Sequence, residues 1–248
     1  MAPPMDAAAP HPPRAPGTGA DDDPQDHAYD TLYDLQRSRY SCRAFLPRAL
    51  ERSTIERVLT AAQRTASWCN AQPWQLTMAS GETLAHLREA LQAHVATATP
   101  TPDMAWPREY RGIYQERRRD CGWGLYDAVG IAKGDRDASA RQAALNFSMF
   151  GAPHVAIVTS DEALGAYGAV DCGAYVSQFM LAAHSLGVGS IAQAALAAYP
   201  GVLRDVLGIT ADRVIVCGIS FGWPDMAHPA NQYRTPRADI ASAVVWRD

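Results

Sequence analysis

The sequence predicts an α+β fold, a central mixed sheet surrounded by helices, and three observations carry that expectation. Helical hydrophobic spacing recurs in many segments, strand-like apolar runs are few, and the two kinds follow one another without the strict alternation of a doubly wound array. One helical segment, residues 170–186, is apolar or small around most of its circumference, which implies burial on all sides. The 248 residues, 48% of them hydrophobic, supply a sizeable core for one large domain or two small ones.

Residues 1–28 read as a disordered, Pro/Asp-rich leader. Prolines at 3, 4, 10, 12, 13, 16 and 24 and acids at 6, 21, 22, 23 and 26 leave almost no large apolar group to offset the entropy of ordering. The folded domain is expected over 29–248. It opens near Tyr29 with a short amphipathic helix carrying Leu32, Tyr33 and Leu35, which runs out at 37–40. After Pro47, Ser53 followed by Glu56 has the form of a capping box, and Ile55, Val58, Leu59 and Ala62 keep helical spacing to about Ala66. Residues 67–74, SWCNAQPW, are ill-suited to a helix interior. Composition alone allows either a Trp-containing turn or a loop that grips a flat polar ring.

Trp74–Ala79 then reads as a strand, and Thr83–Ala96 as a helix with leucines at 84, 87 and 91. In 101–135, Trp106, Tyr110, Tyr114, Trp123 and Tyr126 are interleaved with arginines. The aromatics at 106, 110 and 114 share one helical face, so the region is either a helix packed on the body or an aromatic lid over a planar substrate. A helix over 138–149, a strand over 154–159, the apolar helix at 170–186, a strand over 213–219 and a terminal helix from Ala238 complete the pattern. The apolar helix could be a central spine or half of a dimer interface.

A formal charge of -4 gives no global basic field, so nucleic acid and anionic membrane are poor candidates as partners. Five scattered cysteines without a CxxC pair point to reduced thiols in a cytoplasm rather than a disulfide framework or a metal site. No apolar run is long enough for a membrane span and no export signal is legible.

Three motifs suggest chemistry. Gly187, Gly189 and Ala192 match a GxGxxA pattern, but a helix precedes them, so they read as a helix cap entering a strand. Gly218, Ser220 and Gly222 match the GxSxG of a serine hydrolase. Trp223, Pro224 and Asp225 forbid the helix such an elbow needs, which leaves the hydrolase a weak alternative. In an extended segment Arg39, Ser41 and Arg43 point the same way and could present two guanidiniums and a hydroxyl to one dianion. Asn231, Arg234 and Arg237 offer a second polar set from a proline-bounded loop.

With these pieces in order, the chain resembles the FMN-dependent nitroreductase family. The resemblance rests on RYSCRAF (39–45), SWCNAQPW (67–74), NFSMFGAP (146–153), LGVGSIAQAAL (186–196) and NQYRTPR (231–237), and covers nearly everything from Tyr29 onward. It implies a homodimer of α+β subunits with FMN between them. Arg39, Tyr40, Ser41, Arg43 and Arg237 would hold the phosphate and ribityl, while Ser67, Trp68 and Asn70 would come from the partner chain. Asn146 would reach the flavin's polar edge, and Ile191, Ala192 and Gln193 would lie beside the ring with a backbone N–H near N5. Trp106, Tyr110, Tyr114 and Trp123 are the candidate substrate contacts. No side chain need act as catalyst and no metal is expected. The implied reaction passes hydride from NADH or NADPH through flavin N5 to nitroaromatic or quinone acceptors by a ping-pong route. A flavin-binding redox sensor or store is the alternative within the same resemblance.

Overall fold

The computed structural model describes residues 24–247. Helix α1 (Pro24–Ser38) opens them, so the last residues of the expected leader are helical, and the remainder of that leader lies outside the described residues. Helix α2 (Arg52–Ala62) follows, then strand β1 (Gln75–Ser80) and helices α3 (Gly81–Val95), α4 (Ile113–Ala128) and α5 (Arg136–Ala144). Strand β2 (His154–Asp161), helix α6 (Gly165–Ser185), strand β3 (Gly189–Gln193), helix α7 (Pro200–Leu207) and strand β4 (Arg213–Gly222) complete the regular elements.

The strands lie in the order β1-β2-β4-β3, and every adjacent pair is antiparallel. Parallel character enters through a single bridge between Ser41 and Ser190, which lays the segment after α1 along the outer edge of β3. Period-two alternation sends successive side chains of β2 and β4 to opposite faces, and a bulge in β4 between Ile215 and Cys217 reverses its phase, so that Ile215 turns to the face opposite Ile219 and Phe221. Val158, Ile219 and Phe221 pack with Ile55 and Val58 of α2 and Tyr175 and Phe179 of α6. Ile157 and Ile215 pack on the other face with Leu84, Leu87 and Leu91 of α3 and Leu203 of α7. Both faces are covered, so the sheet is a rigid floor whose edges carry the exposed features.

Helix α6 buries Cys172, Tyr175, Val176, Phe179 and Ala183 against that floor. Its opposite face leaves Tyr167 61% and Val170 65% exposed, with Gly173, Ala174 and Ser177 open beside them. Burial on all sides is therefore corrected for the single chain: one face is buried and one apolar face is not.

Three local expectations also change. The Ser53–Glu56 capping box does not form, because α2 starts two residues earlier with Glu51 as its N-cap, and Glu56 instead pairs with Arg52 at 2.9 Å. Prolines 100, 102 and 107 keep 101–112 out of a helix, so Trp106 and Tyr110 do not share a helical face with Tyr114. The terminal helix is only a 3-10 turn at Ile240–Ser242, where the Asp239 carboxylate accepts from Ala241 N at 2.8 Å and Ala243 leaves the turn at φ -118°. Among the described residues no helix is long and apolar enough to cross a membrane, and no group of three or more metal-ligating side chains converges.

Candidate functional site

The outer edge of β3 is where the polar motifs meet. Because β3 is an edge strand, alternate backbone groups beyond the Ser41 bridge point away from the sheet and are available to a ligand. Ile191 is 4% exposed and Gln193 2%, while Ala192 faces out. What the strand offers a ligand is therefore backbone and one methyl group.

Beside it lies a cleft of about 280 Å³ whose walls include Arg43, Asn146, Ala192 and Gln193, with Leu125 and Tyr126 of α4 closing one side. Asn146 stands at the head of a 3-10 turn (Leu145–Gly151) in which Met149 and Phe150 take φ of 53° and 52°. Two left-handed non-glycine residues in succession are costly, on the order of 1–2 kcal/mol each, and need outside support. Arg88 of α3 supplies it: its guanidinium donates to the carbonyls of Ser148 (3.0 Å) and Ala152, on either side of the turn. Gln193 then ties the turn to the strand, its Nε2 donating to Asn146 O at 3.0 Å and to Oδ1 at 3.1 Å.

Ser220 is fully buried within β4, and its hydroxyl donates to Gln193 Oε1. That proton is committed to an amide oxygen, no base is in contact, and the strand runs on to Gly222. The GxSxG match is a strand that packs under the cleft rather than a nucleophile elbow. Gly187 has φ +71° just after α6, as the cap reading of GxGxxA expects.

At the C-terminal end of α6 the two basic segments converge. Asn231, with no exposed surface, joins them: Oδ1 accepts from Arg43 N at 2.7 Å, and Nδ2 donates to Ala44 O and Asp225 O, both at 2.8 Å. Arg234 stacks over the Tyr40 ring at 3.9 Å, and Tyr40 meets His184 edge-on at 6.4 Å between centroids. Burial and then the neighbouring Arg237 hold the Arg39 guanidinium below its ordinary pKa. His184 is likewise lowered, first by burial and then by Arg39 and Arg234. Among the described residues no carboxylate pairs with Arg39, Arg234 or Arg237. Arg39 beside Arg237, with Arg39 and Arg234 both disfavouring charge on His184, makes a basic end whose electrostatics favour an anion.

The SWCNAQPW segment is elsewhere. Ser67 Oγ accepts from Gln72 N at 2.9 Å, and Cys69, Asn70 and Gln72 all take positive φ (51°, 56° and 48°). Gln72 braces the loop against Asn70 Oδ1 (3.2 Å) and Gln63 (3.0 Å). The Asp171 carboxylate accepts from Trp68 N at 3.2 and 3.3 Å, and the Trp68 ring, 59% exposed, stands edge-on to Tyr167 at 4.3 Å. This loop feeds β1, the sheet edge opposite β3. Three strand spacings separate the two edges, roughly 14 Å. Along α6 the thirteen residues from Asp171 to His184 add an axial offset of about 20 Å.

The structure thus brings Arg43, Asn146, Ile191, Ala192 and Gln193 to one cleft, and Arg39, Tyr40, Ser41 and Arg237 to the adjoining basic end. Ser67, Trp68 and Asn70 remain apart within the chain. None of Tyr110, Tyr114 and Trp123 lines the cleft: Tyr110 lies under Arg118 (5.3 Å), Tyr114 is 66% exposed, and Trp123 sits between Tyr126 (6.2 Å) and Lys133 (5.6 Å). Trp106 lines a separate cavity. Leu125 and Tyr126, which do reach the cleft, were not singled out by periodicity. The legible signal was Gly124 between them and Trp123: a Cβ there would meet the Tyr233 ring at 2.5 Å, so the glycine lets α4 dock on the C-terminal loop.

Comparison with known proteins fits this arrangement. A model of the nitroreductase family matches residues 37–223. The nitroreductase NfnB of Mycolicibacterium smegmatis is 35% identical over 209 residues, 84% of this chain and 88% of that protein. A 4-nitrobenzoate reductase of Pseudomonas putida is 33% identical, covering 81% of this chain and 88% of its own length. The crystal structure of the FMN-dependent NfnB from Mycobacterium smegmatis in complex with NADPH superposes with a TM-score of 0.85 at 32% identity, over 89% of this chain and all of that one.

Proposed function

The chain belongs to the nitroreductase family, and on that premise we propose that it is an FMN-dependent oxidoreductase that uses NADPH or NADH to reduce nitroaromatic and quinone acceptors. The observation that carries the reading is the unpaired basic cluster of Arg39, Arg234 and Arg237 at one end of an edge strand whose backbone is open to a ligand. That combination fits a phosphate joined to a long planar ring. Arg39, Ser41 and Arg237 would hold the phosphate, and Arg43 with the Asn146–Gln193 amide pair would border the polar part of the ring. Backbone N–H groups of 191–193 would face the ring's reactive edge.

A bound flavin would supply the redox chemistry, hydride transfer from a reduced nicotinamide and two-electron reduction of the acceptor, with Arg39, Ser41, Arg43 and Arg237 as the residues that would hold it. The protein's part is to orient the donor and the acceptor in turn on one open face, which gives ping-pong kinetics. Fixed positive charge near the ring favours the anionic reduced state, and no side chain of the cleft is placed to act as an obligatory acid.

The distances along α6 and across the sheet support a site shared between two chains. A ligand lying on β3 is far from its own Ser67–Asn70 loop, whereas a second chain docked on the apolar face of α6 could bring its loop to that ligand. Tyr167 and Val170 are large apolar groups left exposed on the outer face of α6, as expected of a surface that a second copy covers. The test is the visible spectrum of the purified dimer followed by steady-state NADPH oxidation with a nitroarene. A flavin spectrum with turnover is expected. A colourless protein that takes up no FMN would falsify the reading, and bound FMN without turnover would leave a flavin store instead.

A further inference from the structure

A second cavity of about 200 Å³ lies beside the cleft, with Ala194 as a wall of both. Its other walls are small or apolar: Ala169 of α6, Ile215 and Val216 of β4, and Met104, Ala105 and Trp106 from the segment ahead of α4. That segment is anchored. Thr101 N donates to Ala198 O at 2.9 Å, and Asp103 accepts from both terminal nitrogens of Arg204 (3.1 and 2.7 Å) and from Ile215 N (2.8 Å). The Asp103 and Arg204 side chains are only 17% and 23% exposed, so this pair fixes the wall while the two charges neutralise each other.

We propose that this cavity is a specificity subsite for the uncharged, apolar substituent of an aromatic acceptor, with Trp106 as the residue that sets the preference. The inference rests on the reductase reading above and refines it. An apolar cavity of about 150 Å³ is already large enough to take a benzene ring, and one lined this way holds water poorly because few hydrogen-bond partners are present. The alanines at 105, 169, 194 and 197 give a slot with shallow walls, and the Trp106 ring, 47% exposed, offers a face for stacking. A carboxylate entering the slot would lose hydration and gain no cation, since Arg204 is already paired. This chain is therefore expected to differ in preference from relatives that reduce 4-nitrobenzoate.

The experiment compares kcat/KM of the FMN-loaded protein for nitrobenzene, 4-ethylnitrobenzene and 4-nitrobenzoate. It is run on the wild type and on two variants, Ala169→Leu to fill the cavity and Trp106→Ala to remove its aromatic wall. The wild type is expected to favour the ethyl compound over the carboxylate by about tenfold or more, and each variant to lower the ethyl-to-nitrobenzene ratio by roughly tenfold, the scale on which an apolar pocket discriminates. Either variant alone suffices, since each alters a partly exposed position. An unchanged ratio in a folded variant that still reduces nitrobenzene would overturn the subsite and leave the reductase reading standing. Failure of the FMN-loaded wild type to reduce any of the three arenes would overturn both.

Discussion

The two ends of α6 are built on different principles. At the C-terminal end, near His184, remote segments from residues 39–43 and 231–237 are drawn together by one buried amide, Asn231, and the product is a cluster of cations with no carboxylate paired to it among the described residues. At the N-terminal end, near Asp171, a single short loop is held in three left-handed conformations by its own glutamine and by one carboxylate, and presents an indole to solvent. The first end gathers its polar groups from remote parts of one chain. The second is a locally braced loop far from that cluster within its own chain, and the difference is what the shared-site proposal would explain.

The sharpest way to break the comparison is at the basic end. Arg39→Ala or Arg237→Ala should each raise the FMN dissociation constant by roughly 10- to 150-fold, as loss of a charge-assisted hydrogen bond worth about 1.5–3 kcal/mol implies. Arg117→Ala, on the exposed surface of α4, should change it little. Fluorescence titration of apoprotein with FMN measures all three, and equal affinities would mean that the phosphate site has been misplaced. Asn231→Ala should act on the fold as well as the ligand, because it strands Arg43 N and removes one of the bonds to Ala44 O and to Asp225 O, which keep Asp225 N and His228 N as donors; a loss of about 1–3 kcal/mol in denaturant unfolding is expected.

At the loop end the effects should be smaller. Asp171→Ala removes the acceptor for Trp68 N, and FMN affinity should fall a few-fold, the equivalent of about 0.5–1.5 kcal/mol, while the basic end stays intact. A change of a hundredfold would show the loop to be structural rather than a wall. The smallest effect is on pH dependence. His184 is held below the ordinary histidine value of 6.5 by burial, Arg39 and Arg234, so the unfolded chain binds the proton more readily. Its contribution to stability is full above about pH 6.5 and is lost as pH falls through that value. Thermal melts of the apoprotein between pH 5 and 8 should show this, and bound FMN should reduce it by neutralising the two arginines.

Much of the scaffold was legible because it is local. The leucines of α3 and the small and apolar run of α6 announce their helices by spacing, and Pro224 after Ser220 was enough to disqualify a nucleophile elbow. What was not legible depends on tertiary partners. Nothing in the pattern of 101–135 says that Leu125 and Tyr126, rather than the more conspicuous Trp106 and Tyr110, turn toward the cleft. That choice is made by Gly124 fitting against Tyr233. The ties that Gln193 makes to Asn146 and Ser220 are likewise invisible in the sequence, because those residues lie 47 and 27 positions away and meet it only across the sheet and the turn. The capping box at Ser53 failed because a two-residue shift of the helix start moves the serine inside it.

The account's central claim is that each flavin is held by the basic end of one chain and the loop of the other. Mixed dimers test it directly: one chain carries Arg39→Ala and Arg237→Ala, the other carries Trp68→Ala and Asn70→Ala. If the site is shared, the mixed dimer has one site with both halves broken and one with both halves intact, so it should bind a single FMN with wild-type affinity although neither parent dimer does. If the mixed dimer binds FMN no better than its parents, both halves belong to the same chain and the shared site is wrong.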